Sequence, residues 1–275
     1  KRFNKDWTLA IRGNITYNKD KWIEGELPEQ RYDWMNQYGQ NILGKKGYIA
    51  EGLFTQAEID DMARWESLSQ ANKATTPKPF ASQFGTVKAG DIKYKDQNGD
   101  KQIDEHDVVA IGHSNTPGLF YGINVGFEYK GFGVDMLFQG AGQVSRMLNT
   151  ASVYWPLRDG KSNLSKWYIE DNVRWTEETK NTATLPRLTT LNNANNFRSS
   201  TQWLANGSYF KLRNLNIYYN LPQKWVKSMR MEKCQVYVRG NNLFSLDHID
   251  YSNCEDLSVN YPDLMSVYVG LNINF

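Results

Sequence analysis

Val267-Tyr268-Val269-Gly270-Leu271-Asn272-Ile273-Asn274-Phe275 is the stretch that decides the fold. In an extended chain, successive side chains point to opposite sides. Val267, Val269, Leu271, Ile273 and Phe275 therefore share one face, and Tyr268, Gly270, Asn272 and Asn274 the other. The first face is wholly apolar, the second small or polar. A half-buried strand of a soluble sandwich shows the same alternation over a shorter length, whereas a strand of an outer-membrane barrel needs about 9–11 such residues. Recurrence of the pattern at full length separates the two.

It recurs. Trp7, Leu9, Ile11, Ile15 and Tyr17 alternate with Thr8, Ala10, Arg12, Asn14 and Thr16. Leu119, Tyr121, Ile123, Val125, Phe127 and Tyr129 alternate with Gly122, Asn124, Gly126 and Glu128. After Lys130-Gly131, the residues Phe132, Val134, Met136 and Phe138 stand against Gly133, Asp135 and Gln139, which reads as a hairpin with a tight turn. Segments 208–221 and 233–244 are less regular. In the former, Phe210 and Leu212 fall out of phase with Leu215, Ile217, Tyr219 and Leu221, and a one-residue bulge near Arg213–Asn214 restores the phase. In the latter, Val236 and Val238 face one way and Tyr237, Arg239 and Asn241 the other.

The fold class expected is all-β: a transmembrane antiparallel β-barrel, with long loops carrying short helices. No apolar run approaches the length of a membrane helix, and a mean hydropathy of -0.65 suits a barrel whose lumen and loops are polar. Sixteen tyrosines and nine tryptophans suit interfacial girdles or ligand-stacking loops. A net charge of +2 without a basic stripe excludes nucleic acid as a partner. The opening Lys1-Arg2-Phe3-Asn4-Lys5-Asp6 leads into a strand and not into an apolar signal region.

Bacterial barrels keep short turns in the periplasm and long loops outside. With strand 265–275 running inward, Lys130-Gly131 and Pro222–Glu232 are periplasmic, and 18–118, 143–207 and 245–264 are extracellular. The smallest single-chain barrels have about eight strands, and six are legible here. Either two more lie in the long loops, or residues 1–275 are the C-terminal part of a larger barrel.

Several stretches resemble the C-terminal region of the SusC/RagA family of TonB-dependent outer-membrane transporters of Bacteroidota. They are Gly90-Asp91-Ile92-Lys93-Tyr94-Lys95-Asp96-Gln97-Asn98-Gly99-Asp100, Ile111-Gly112 with Pro117 and Tyr121-Gly122, and Ser199–Leu204 leading to Gly207-Ser208-Tyr209-Phe210-Lys211-Leu212-Arg213-Asn214. Leu221-Pro222 ahead of Trp225, and Val236–Phe244 around Gly240-Asn241-Asn242-Leu243-Phe244, complete the set. The resemblance covers roughly residues 85–275. It implies a barrel of 22 strands around an N-terminal plug, with a SusD-like lipoprotein lid that captures glycan or peptide, energised through TonB. The plug, the TonB-contacting segment and most of the barrel are not in this sequence. The partners it implies are therefore the remainder of the barrel and plug, the lid, TonB through that remainder, lipid and lipopolysaccharide, and a glycan or peptide substrate.

One chemical motif stands out. Asp96, Asn98, Asp100, Gln102, Asp104 and Asp107 occupy positions 1, 3, 5, 7, 9 and 12 of a calcium-loop pattern, with Ile103 as the apolar anchor. Calcium takes about six to eight oxygens, which alternate residues of a tight loop can converge. Lys101 replaces the usual glycine and Asp107 is shorter than the usual Glu, so a dockerin-like Ca²⁺ loop is closer than an EF-hand; the other reading is a solvated polar turn. His106, His113 and His248 are not at metal-ligand spacing, and no nucleophile-base-acid arrangement is visible, so an enzyme is not expected. Cys234 and Cys254 are expected at opposite ends of a strand and unbonded. Thr55-Gln56-Ala57-Glu58 is a capping box opening a helix with Ile59, Met62 and Ala63 on one face. A second helix is expected over about 163–175, whose Trp167, Tyr168 and Trp175 serve either sugar stacking and partner contact or local packing.

The function expected is outer-membrane nutrient import. A SusC-like barrel acting as an envelope scaffold, and a secreted calcium-binding β-sandwich lectin, are the alternatives; an N-terminal TonB box and plug discriminate the first, and solubility without detergent the second.

Overall fold

The computed structural model describes residues 6–150, 153–160, 163–170, 173–257, 261 and 263–275. Six long strands form one antiparallel sheet in chain order: β1 (Trp7–Tyr17), β2 (Leu119–Tyr129), β3 (Phe132–Gly142), β4 (Tyr209–Asn220), β5 (Lys233–Leu246) and β6 (Ser266–Asn274). Each matches an expected strand to within two residues at either end. Lys130 and Gly131 close the β2–β3 hairpin at φ 48° and 88°, the doubly positive turn that fits the twist of paired strands.

The expected bulge is present. Leu212 pairs Phe138 while Asn214 pairs the adjacent Leu137, so Arg213 is the extra residue against β3. The offset passes into β5, where Leu212 pairs Phe244 and Asn214 pairs Asn241. Asn242, at φ 51°, absorbs it in a conformation that asparagine tolerates better than most residues.

Register lines up the two faces. Leu9, Phe127, Val134, Ile217, Val238 and Val269 are successive cross-strand partners, an apolar row through every strand of the sheet. The neighbouring row on the opposite face is Ala10, Gly126, Asp135, Asn216, Arg239 and Tyr268. Nothing among the described residues covers the apolar face, on which Ile15 is 74% and Val269 76% exposed. A β-sandwich would bury that face under a second sheet, so the lectin architecture is corrected to a single open sheet.

The long loops hold the core. Two-stranded ribbons join Lys45–Gly47 to Val109–Gly112, Ala50–Leu53 to Ile92–Tyr94, and Ser145–Met147 to Leu204–Asn206, all too short to span a bilayer. Helices α1 (Gln56–Glu66) and α2 (Gln70–Thr75) lie in the first loop, α3 (Trp167–Glu170) in the second, and α4 (Gln223–Ser228) in the β4–β5 connection. Tyr48, Ile92, Tyr94, Ile103, Tyr154, Trp155, Tyr168, Leu185, Trp203 and Ile249 pack into one cluster drawn from all three long loops, with Ala141 and Tyr209 from the strand ends below. The long loops thus form a cap. Cys234 and Cys254, both free and buried, lie at opposite ends of β5.

Candidate functional site

The polar face of the sheet is a hydrogen-bonded lattice. Tyr218 donates from its hydroxyl to Glu128 (3.2 Å), Asn216 to Asp135 (3.4 Å), Arg239 to the Asn216 side-chain Oδ1 (3.1 Å) and Gln235 to Asn220 (2.9 Å). The Arg239 guanidinium also lies 4.3 Å from the centre of the Tyr237 ring. Gly133 is where the Tyr218 ring crosses the neighbouring strand: a Cβ there would collide with the ring, which fixes glycine at that position. Arginine, amides, carboxylates and tyrosine edges together offer donors, acceptors and stacking surface to a polar solute. They hold no nucleophile activated by a base.

At the long-loop end of this face one carboxylate gathers three partners. Glu255, in the β5–β6 loop, accepts from Lys211 Nζ (3.0 Å) and from the Arg213 guanidinium, while Arg213 also donates to Gln139 (3.0 Å) and Asn242 (3.0 Å). Burial works against the ionised form of Glu255, but hydrogen bonds from Arg213, Lys211 and Tyr209 outweigh it and hold the carboxyl at about 2. The bulge that sequence phase requires is what turns Arg213 toward Glu255. An open cleft of about 520 Å³ lies beside this latch, lined by Lys211, Asn242, Phe244, Asp247, Asn253 and Asp263 among others.

A second carboxylate, this one fully buried, ties the first two loops together. Asp91 is ion-paired with Arg187 (Nε 2.8 Å from Oδ1) and accepts hydrogen bonds from Arg187 Nη2 (3.2 Å), Asn193 (3.0 Å), Asn196 (2.9 Å) and the Lys88 N–H (2.8 Å). The neighbouring Asn195 and Asn196 side chains satisfy both the carbonyl and the N–H of Ile92 (2.7 and 2.9 Å), taking the role of a missing strand. Gly90 sits at φ +83° under the Trp175 indole, which leaves no room for a Cβ. These contacts give physical content to the Gly90-Asp91-Ile92 run, and their partners lie about a hundred residues away, where no local sequence signal reaches.

The calcium-pattern residues are held by internal hydrogen bonds. Asp96 accepts from the Gly99 and Lys101 N–H groups (2.7 and 2.8 Å), Asn98 from that of Asp100 (3.0 Å), Asp100 from that of Gln102 (2.8 Å), and Asp104 from that of His106 (2.8 Å). Both oxygens of buried Asp107 are engaged, by the Gln97 and Asp104 N–H groups (2.7 and 2.8 Å). Burial pushes the Asp107 carboxyl up, those hydrogen bonds pull it down, and Asp96 adds to the rise. Among the described residues no three acidic, histidine or cysteine groups come together as a metal site. Lys101 stands at φ 68°, where the loop pattern places glycine.

Other expected residues fall as follows. The capping box forms, with the Glu58 N–H donating to Thr55 Oγ1 (3.3 Å) and the Thr55 N–H to Glu58 (2.9 Å), and Met62 is buried beneath α1. The helix over 163–175 is corrected to the single turn α3; Asp171 and Asn172 lie outside the described residues, and Trp175 pairs with Leu185 by its backbone N–H (2.9 Å). Trp167 packs edge-on against Tyr154 and Tyr168, and Tyr168 is buried, so packing takes these rings. Burial raises the Tyr168 hydroxyl well above its ordinary value. His106 pairs with Asp104 (2.9 Å) and packs on Tyr32.

No family model matches the chain. Two curated proteins of Formosa agariphila are similar to it: TonB-dependent receptor P3, 24% identical over 288 residues, and TonB-dependent receptor P26, 26% identical over 292 residues, each over 99% of this chain and 27% of the receptor. Among solved structures, the RagAB peptide importer in its open-open state matches 100% of this chain and 27% of its own at TM-score 0.65 and 20% identity. The closed-closed state gives TM-score 0.64, 21% identity and cover of 99% and 28%. The chain spans about a quarter of the length of these relatives (27%). From end to end it is thus similar to a stretch of the TonB-dependent receptors, and its six strands have the fold of a barrel-wall segment like that of the RagAB importer.

Proposed function

We propose that this chain is a C-terminal wall segment of a SusC/RagA-like transporter in the bacterial outer membrane, importing glycan or peptide with a SusD-like lipoprotein and energised through TonB by the rest of the protein. One observation carries the reading: the exposed apolar face is bounded by aromatic rows. Trp7, Tyr129, Phe132 and Tyr219 are cross-strand partners at the short-turn end, and Tyr17, Tyr121 and Phe210 stand at the other. Tyr17 lies ten residue steps beyond Trp7, which at about 3.3 Å per residue and about 40° of tilt gives roughly 25 Å, the height of the apolar band of an outer-membrane barrel. The polar face then lines the lumen, and the cap projects outside.

Import is tested by deleting the gene and supplying labelled oligopeptides or oligosaccharides. Loss of uptake of one class with an intact envelope supports transport. Unchanged uptake of both, with envelope defects, would point instead to a scaffold.

For the 96–107 loop we propose that calcium adds to the internal hydrogen bonds and does not replace them, since a carboxylate oxygen that accepts one N–H retains a second lone pair. Calorimetric titration of the full-length protein should show calcium binding that Asp96→Ala with Asp100→Ala removes. Equal heats in both proteins would leave a polar turn.

A further inference from the structure

We infer that α4 and the Lys130 turn form a basic, tryptophan-bearing edge that docks on anionic phospholipid headgroups of the leaflet at the short-turn end of the sheet. The inference rests on the membrane-barrel reading above and adds a ligand to it. Between Gln223 and Lys233 the chain carries Lys224, Lys227, Arg230 and Lys233 against one carboxylate, Glu232. None of these four cations is ion-paired among the described residues, and all four are exposed. Met229, the residue that caps α4, donates its N–H to the Trp225 carbonyl (3.3 Å), which sets the two four residues apart on one side of the turn, with Lys224 and Lys227 on the other arc. Val226 next to them is fully buried and anchors the turn, yet Trp225 is 60% and Met229 50% exposed. An interfacial helix buries such a pair among headgroups and acyl chains and leaves its lysines at the phosphates.

Location supplies the second argument. Asn220 donates to the Gly131 carbonyl (2.7 Å), so α4 begins beside the Lys130-Gly131 turn. That turn carries Lys130, 5.3 Å from the Tyr129 ring centre, and Tyr129 belongs to the aromatic row that marks the bilayer edge. The cations therefore continue the aromatic row outward, to the depth at which phosphates lie. Attraction between such residues and an anionic leaflet falls off within about a Debye length, so only charges at this edge contribute.

The test uses the full-length protein that carries this chain, in nanodiscs of phosphatidylcholine or of an equimolar mixture with phosphatidylglycerol. The wild type should melt at a higher temperature in the anionic discs, and added salt should shrink the difference. In Lys224→Gln/Lys227→Gln/Arg230→Gln the difference should vanish while insertion is retained. Soluble glycerol phosphate added to neutral discs should not reproduce it. Equal melting of the wild type in both lipids, a gap that the triple variant keeps, or full reproduction by glycerol phosphate would each overturn the inference. Failure to enter either disc would instead sink the barrel reading on which it stands.

Discussion

Single residues show where reading from sequence stops. The alternation that places Val269 on one face and Asn272 on the other is local, so it was legible before any contact was known, as was the Thr55–Glu58 capping box. The partners of Asp91 and Glu255 were not legible, because Arg187 and Lys211 meet them only after loops close over long distances in the chain. The calcium pattern was legible as spacing, but spacing does not fix where carboxylate oxygens point. Two outcomes follow at this scale. Val269→Arg should destabilise the membrane-inserted protein by about 2–4 kcal/mol, and Asn272→Arg by less, when measured by reversible unfolding in detergent or lipid; equal costs would refute the assignment of faces. Gly90→Ala must force a side chain into φ +83° and against Trp175, so it should loosen the cap by more than the roughly 1 kcal/mol of an ordinary glycine replacement. Faster proteolysis of 143–207 with an unchanged sheet would show this, and unaltered cleavage would remove Trp175 from the account.

Among the elements, strands were easier to read than helices. A period of two survives whatever packs on the sheet, and the bulge at Arg213 was visible as a break in phase that the register then located. The expected helix over 163–175 rested on scattered aromatics among charges. Those rings are instead drawn into a core shared with Tyr154 and Gly90, and only one helical turn survives. The β5–β6 loop gives a pH prediction. Glu255 titrates at about 2 in the fold against 4.5 ordinarily, a depressed carboxylate. Its stabilisation is therefore complete above about pH 4.5 and is lost as pH falls from there toward about 2. Glu255→Gln should lower the melting temperature most near neutrality, and the gap from the wild type should close as the medium is acidified below pH 4.5. A gap independent of pH would mean that the side chain acts by shape and not by charge.

At the scale of the molecule, sheet and cap divide the work. The cap buries its own aromatic core, while the sheet leaves one face apolar and exposed and the other polar and hydrogen-bonded. Six strands in the order of the chain, with β1 and β6 as the outermost, leave two rows of backbone groups that hydrocarbon cannot satisfy. The six strands of the open sheet were legible from their period; the compactness of the cap was not, because loop composition carries no period. The account requires that both edges pair with further strands of a larger barrel. The most direct measurement is a cryo-electron microscopy map of the full-length protein in lipid nanodiscs, read at the outer edges of Trp7–Tyr17 and Ser266–Asn274. The account predicts a ladder of backbone hydrogen bonds from each edge to strands outside residues 1–275, with Val269 and Ile15 against lipid. Direct pairing of Trp7–Tyr17 with Ser266–Asn274, closing these strands on themselves, would contradict it.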